Sequence, residues 1–95
     1  NRMDSWQVSK SIFTTEYSVF RDLLRELRTE KGLTQVQLSE TLGMPQSFVS
    51  KYETGERRLD VIEVREVCQS LGTTLAAFAK KLEARLPESK KGGVA

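Results

Sequence analysis

The sequence predicts an all-α fold, and three features of its pattern support this. Apolar residues recur at the three- and four-residue spacing of amphipathic helices. Glycine follows such stretches four times, where a left-handed residue can end a helix: Gly32, Gly43, Gly55 and Gly72. No stretch alternates apolar and polar residues between turn pairs, as a half-buried strand would. Because 95 residues suit a single domain, we expect one compact bundle of five helices.

The first two helices are defined by an apolar stripe and a capping motif. Over residues 15–31, one face collects the apolar side chains of Tyr17, Phe20, Leu24 and Leu27. The second helix begins after Thr34, because Thr34 and Gln37 have the spacing of a capping box. Gly43 ends this helix.

A short third helix is predicted from Pro45 to about Thr54. Proline suits the first helical position, because the backbone N–H that it lacks would have no partner there. Asp60 caps a fourth helix, whose inward face comprises Val61, Val64, Cys68 and Leu71. Thr73 or Thr74 caps a fifth helix, whose inward face comprises Leu75, Phe78 and Leu82. On this face Cys68 is expected to pack as a small hydrophobe.

The two ends of the chain lack this organisation. Residues 1–14 carry no apolar stripe, so we expect an irregular arm, in which Trp6 could anchor locally or dock on a partner. Residues 87–95 are polar and rich in lysine and glycine, which is typical of a flexible basic tail. The domain is therefore expected over residues 15–86.

Composition excludes most catalytic chemistry. The chain has no histidine and one cysteine, so it cannot form an imidazole base, an intrachain disulfide or a nitrogen and sulfur zinc cage. A carboxylate-only enzyme using Asp60, Glu63 and Glu66 is the remaining alternative, and we expect no catalysis, cofactor or metal. No apolar run approaches the roughly 20 residues of a membrane span, so a cytoplasmic location away from membranes is expected.

Residues 35–54 have the features of a helix-turn-helix unit, whose second helix can enter the major groove of DNA. Ser39 is small where the two backbones approach, and Gly43 permits the sharp turn. The apolar wedge between the helices is predicted to comprise Leu38, Leu42, Val49 and Tyr52. A plain two-helix hairpin is the alternative.

The outward face of the third helix is polar and nearly free of acid. Pro45, Phe48, Val49 and Tyr52 fall on one side at about 100° per residue. The opposite side carries Gln46, Ser47, Ser50, Lys51 and Thr54. Glutamine can pair with adenine, and lysine with guanine or phosphate, whereas an ordinary solvated face is the alternative interpretation.

At these positions the chain resembles the Cro and phage-repressor type of helix-turn-helix domain, the xenobiotic response element (XRE) family. The resemblance covers residues 24–75 and implies the compact five-helix, lambda-repressor-like bundle. The matching residues are Arg28, Gly32, Leu33, Thr34, Gln35, Leu38, Leu42, Gly43, Gln46, Ser47, Val49, Ser50, Lys51, Glu53, Gly55, Leu71 and Gly72.

The resemblance also implies roles for individual residues. Gln35 would hold a phosphate and brace Gln46, which reads a base together with Ser47, Ser50 and Lys51. The segment with Thr54, Arg57 and Arg58 would follow the phosphates, although the acidic Glu56 departs from that pattern. Phe48 is larger than usual for its position and could pack inward or touch a thymine methyl.

The resemblance further implies an ion pair between Arg28 and Glu53 that locks the first helix to the third. Two unrelated surface charges are the alternative. A buried pair of this kind would fix the orientation of the recognition helix.

Sequence-specific binding of double-stranded DNA by a small stand-alone regulator is the function that these features imply. Because one helix-turn-helix reads few base pairs, we expect a homodimer on a pseudo-palindromic operator. Its expected interface comprises Leu75, Phe78, Ala79, Leu82 and Leu86. A repressor or a controller protein would fit, without a small-molecule ligand. The alternative is an adaptor of the multiprotein bridging type, or an antitoxin, whose main partner is a protein.

Overall fold

The computed structural model describes the backbone over residues 2–87 and the side chains over residues 15–87. Five helices follow in the order α1 (Arg2–Glu30), α2 (Gln35–Leu42), α3 (Gln46–Thr54), α4 (Val61–Ser70) and α5 (Leu75–Arg85). The described backbone contains no strand, which confirms the all-α prediction. None of the described helices combines the length and the apolar character needed to cross a bilayer.

Helix α1 is longer than predicted, because it begins at Arg2 rather than near residue 15. The prediction of an irregular arm over residues 1–14 is therefore wrong for the backbone from Arg2 onward. Residues 2–14 contain no glycine or proline, and each residue added to an existing helix gains a backbone hydrogen bond. The Trp6 side chain and residues 88–95 of the predicted tail lie outside what the structure describes.

The predicted caps fix where α2, α4 and α5 begin. The Thr34 hydroxyl accepts a hydrogen bond from the Gln37 amide at 3.0 Å, and the Gln37 side chain accepts one from the Thr34 amide at 2.9 Å. Asp60 and Glu63 form the same reciprocal box, at 2.8 Å and 2.9 Å. Thr74, rather than Thr73, caps α5. These caps satisfy backbone donors that helix termini otherwise leave unpaired.

The turn between α2 and α3 differs from the prediction by one residue. Gly43 adopts φ 70°, a left-handed conformation that lets α2 end sharply. Pro45 is the residue before the helix, with φ −63° and ψ 152°, so α3 begins at Gln46. The fixed φ of proline suits either position, and the extended ψ decides between them.

The core lies where all five helices meet. Its buried apolar side chains are Leu23, Leu24, Leu38, Phe48, Val49, Tyr52, Val64, Val67, Cys68, Leu71 and Phe78. Ser39 is also buried, as expected where α2 and α3 approach closely. The prediction that Val61 faces inward is wrong, because Val61 is 61 % exposed at the protruding first position of α4, and Val67 is buried instead.

Candidate nucleic-acid interface

Helix α3 has one buried and one exposed side, with the division that the sequence predicted. Phe48, Val49 and Tyr52 are buried, and the Phe48 ring meets the Tyr52 ring edge-on at 5.6 Å between centroids. Phe48 therefore packs inward. On the other side Ser50 is half-buried and the remaining polar residues are exposed: Gln46, Ser47, Lys51 and Thr54. Packing of one side of α3 in the core therefore leaves the hydrogen-bonding side chains of its other side facing solvent.

A buried ion pair joins α1 to α3. Arg28 Nε donates to Glu53 Oε2 at 2.7 Å, and Arg28 Nη2 donates to Glu53 Oε1 at 2.9 Å. The third nitrogen, Nη1, donates to the Leu33 carbonyl at 2.8 Å. The side chains are only 10 % and 4 % exposed, and hydrogen bonding to Glu53 raises the pKa of Arg28 above its usual value. This bidentate geometry fixes both position and angle between the two helices.

Two glutamines extend this ion pair to the exposed face. Gln35 Nε2 donates to Glu53 Oε1 at 3.0 Å, and Gln46 Nε2 donates to Gln35 Oε1 at 3.2 Å. A continuous chain of hydrogen bonds therefore runs from buried Arg28 to exposed Gln46. Since a primary amide offers two N–H donors and one acceptor oxygen, the bond to Gln35 leaves Gln46 further hydrogen-bonding capacity.

The two arginines of the loop over residues 55–59 make different contacts. Both terminal nitrogens of Arg57 donate to the Glu63 carboxylate, at 3.0 Å and 2.6 Å, and its guanidinium lies 4.7 Å from the Phe48 ring centroid. The hydrogen bonds from Arg57, and secondarily from the Asp60 amide, hold the pKa of Glu63 below its ordinary value. This ion pair offsets the charge that Arg57 would bring to its predicted phosphate contact.

Arg58 instead stacks on an aromatic ring of α1. Its guanidinium carbon lies 4.5 Å from the Tyr17 ring centroid, and the residue is exposed. Thr54, also predicted at a phosphate, donates its hydroxyl to the Lys51 carbonyl at 3.1 Å. In the sequence, Tyr17 is identified only as part of an apolar stripe, and no signal indicates its contact with this loop.

Comparison with known proteins identifies the family. The helix-turn-helix family model matches residues 24–83. A solved structure, the XRE-family like protein from Pseudomonas syringae pv. tomato str. DC3000, is 49 % identical with a TM-score of 0.77, covering 84 % of this chain and 98 % of the other. The chain belongs to the XRE family of helix-turn-helix proteins.

Two other relatives of this XRE-family chain match it over a smaller share of its length. An uncharacterized HTH-type transcriptional regulator, y4dJ of Sinorhizobium fredii, is 42 % identical over 48 residues, which are 50 % of this chain and 62 % of that protein. The clp gene regulator ClgR from Corynebacterium glutamicum is 23 % identical, covers 73 % of each chain and has a TM-score of 0.65, which shows the shared fold. The family resemblance is confirmed, and the family is a class of non-enzymatic DNA-binding regulators.

The predicted dimer face of this XRE-family chain needs one correction. Phe78 is 2 % exposed and meets Phe20 edge-on at 5.7 Å between centroids, so it belongs to the core and cannot contact a second copy. Ala79 is exposed. An open apolar groove of about 470 Å³ contains the other predicted residues, Leu75, Leu82 and Leu86. Phe78 shares a face of α5 with Leu75 and Leu82, as its spacing predicts, but α1 covers that part of the face through Phe20.

Neither metal binding nor a reactive Cys68 is indicated among the described side chains. No group of three or more potential metal ligands is found among them. Cys68 is fully buried, and burial raises the pKa of its thiol to about 11. A thiol in this environment is a poor nucleophile.

Proposed function

We propose that this chain is the DNA-binding domain of a transcriptional regulator and reads a specific duplex sequence with the exposed face of α3. The observation that carries the proposal is the hydrogen-bond chain ending at Gln46. It holds a side chain capable of base recognition on a face that is otherwise polar and exposed. Side chains fixed before binding lose less conformational entropy when they contact a base.

The electrostatics of α3 support this proposal. Glu53 is the single carboxylate of α3, and its charge is buried and paired with Arg28. The exposed face of α3 therefore presents Lys51 with no acidic side chain beside it on that helix. Such a face can approach phosphates without repulsion, which an exposed carboxylate would cause.

We assign the contacts as follows. Base edges would be contacted by Gln46, Ser47, Ser50 and Lys51. Phosphates would be contacted by Gln35 and Thr54 and, in the following loop, by Arg58. Arg57 would support that loop through Glu63 and, with its charge offset by this pair, would contact phosphate more weakly.

We further propose that two copies bind together as a repressor or controller protein. Val61 is 61 % exposed beside the groove that holds Leu75, Leu82 and Leu86, and the neighbouring Ile62 is 63 % exposed. Covering this surface with a second copy would remove apolar area from water. Two recognition helices would then lie about 34 Å apart, one turn of duplex.

The same apolar surface favours a second candidate function. It could bind a different protein, as expected for an adaptor or an antitoxin. The two functions differ in what they require of DNA, because an adaptor needs no salt-dependent affinity for a duplex.

Selection of bound duplexes from a random pool tests the proposal directly. It should be carried out at about 50 and 200 mM salt, since phosphate contacts make affinity fall steeply over this range. We expect a short enriched motif that recurs as an inverted repeat with centres one helical turn apart. An Arg85→Gln variant, altered on α5 away from the exposed face of α3, should enrich the same half-site sequence. A pool without enrichment at either salt concentration would refute DNA recognition.

A further inference from the structure

A contact between α1 and the loop over residues 55–59 lies beside the proposed interface. The Tyr17 hydroxyl accepts a hydrogen bond from the Leu59 amide at 3.3 Å and donates one to the Arg57 carbonyl at 3.5 Å. One phenol group thereby bridges two backbone positions of the loop. Because Tyr17 lies on the longest helix, the loop is tied to a rigid element.

Arg21, one turn further along α1, ties down the end of α3. Its Nη1 donates to the Glu53 carbonyl at 2.9 Å, and its Nη2 donates to the Ser18 hydroxyl at 3.1 Å. Carbonyls in the last turn of a helix have no partner within the helix, so this bond satisfies one of them. Gly55 has φ 90°, and a Cβ there would lie 3.2 Å from Arg21 Nε. Glycine therefore serves both the left-handed turn and the close approach of the guanidinium.

Among the described residues, Arg58 is the arginine of the loop whose charge is not paired with a carboxylate. Arg57 is held by Glu63, whereas Arg58 is exposed with its guanidinium over the Tyr17 ring. A stacked guanidinium keeps its N–H donors at its edge, where an anion can accept hydrogen bonds. Tyr17 thus orders both the backbone beneath Arg58 and the Arg58 side chain itself.

We propose that Tyr17 is a positioning residue that holds Arg58 ready to bind a DNA phosphate, while Arg21 fixes the end of α3 from which the loop departs. This inference rests on the proposed DNA-binding function. It adds a second brace, meaning a set of contacts from α1 that holds part of the interface in place. The first brace, through Arg28 and Glu53, fixes Gln46 on the exposed face of α3. The second, from an earlier part of the same helix α1, fixes the loop that follows α3.

A double-mutant cycle on Tyr17 and Arg58 tests this inference in the full chain, with the duplex selected above as the probe. Arg58→Gln should lower the salt slope by about 0.9, so the loss of affinity between 50 and 200 mM salt shrinks about threefold. Tyr17→Leu should produce most of the same change, and should cause no further loss of affinity in the Arg58→Gln background. Tyr17→Phe, which keeps the ring, is the matched control and should preserve more of the slope.

A second measurement needs no DNA. Amide hydrogen exchange at Leu59 should be faster in Tyr17→Phe than in the wild-type protein, because the Leu59 amide loses its acceptor. Equal exchange would contradict the hydrogen bond from the Leu59 amide to the Tyr17 hydroxyl. Equal losses of affinity for Tyr17→Leu in both backgrounds would contradict its link to Arg58. If the wild-type protein bound no duplex, the proposed function itself would fail, and the role of Arg58 with it, whatever the exchange at Leu59.

Discussion

Replacing Glu53 by glutamine tests how strongly the buried ion pair holds α1 and α3 together. The substitution keeps the shape of the side chain but removes its charge, so the Arg28 guanidinium, 10 % exposed, loses its counter-ion. Removing one partner of a buried pair costs about 3 to 5 kcal/mol. In a domain of this size, each kcal/mol lowers the melting midpoint by about 4 to 8 °C. We therefore expect Glu53→Gln to melt at least about 12 °C below the wild-type protein.

The chain contains a matched control for this experiment. Arg85 pairs with Glu26 through two hydrogen bonds of 2.8 Å and 2.7 Å, the same bidentate geometry, but these side chains are 40 % and 47 % exposed. Water screens an exposed pair, so Arg85→Gln should barely move the midpoint. Thermal melts followed by circular dichroism would compare the two variants at one pH and salt concentration. Similar midpoints for both variants would show that burial does not make the pair of Arg28 and Glu53 more stabilising than an exposed pair.

Two further predictions concern titrating groups. The lowered pKa of Glu63 means that its pair with Arg57 stabilises the fold above the unfolded value near 4.5 and that this contribution is lost as the pH falls through the folded value. Urea midpoints between pH 7 and pH 3 should therefore fall less steeply for Arg57→Gln than for the wild-type protein, and parallel curves would contradict the assignment. The Cys68 thiol, with a pKa raised to about 11 by burial, should react slowly with a disulfide reagent at pH 8 and rapidly in urea. Rapid labelling of the folded protein would show that the thiol is accessible.

Local signals in the sequence predicted most of the helices, because the cap or stripe that defines each helix lies within a few neighbouring residues. The Thr34 capping box and the Asp60 cap each lie within a few residues of the helix they start, so they predict where α2 and α4 begin, and the structure adds Glu63 to the Asp60 cap. The beginning of α1 carries no such signal. Its extension to Arg2 follows from the absence of a helix breaker, which a search for apolar stripes does not detect.

The candidate site was predictable where a motif spans it and not where distant residues meet. The family resemblance supplied Arg28, Glu53, Gln35 and Gln46, and the structure joins all four through hydrogen bonds. The contacts of Tyr17 with the loop at Leu59 connect residues far apart in the chain, and no spacing rule predicts them. Phe78 was predicted both on the inward face of α5 and at the dimer interface, and only the first assignment is correct, because a helical stripe does not specify that α1 covers it.

A Gln46→Ala variant shows whether the exposed face of α3 reads base sequence, as we propose. Binding of the wild-type and variant proteins should be measured on the selected duplex, on single-base substitutions of it and on an unrelated duplex, at one salt concentration. We expect the variant to lose about 1 to 3 kcal/mol on the selected duplex, to tolerate substitution at one position and to bind the unrelated duplex unchanged. A variant that keeps full discrimination among these duplexes would show that Gln46 does not read a base.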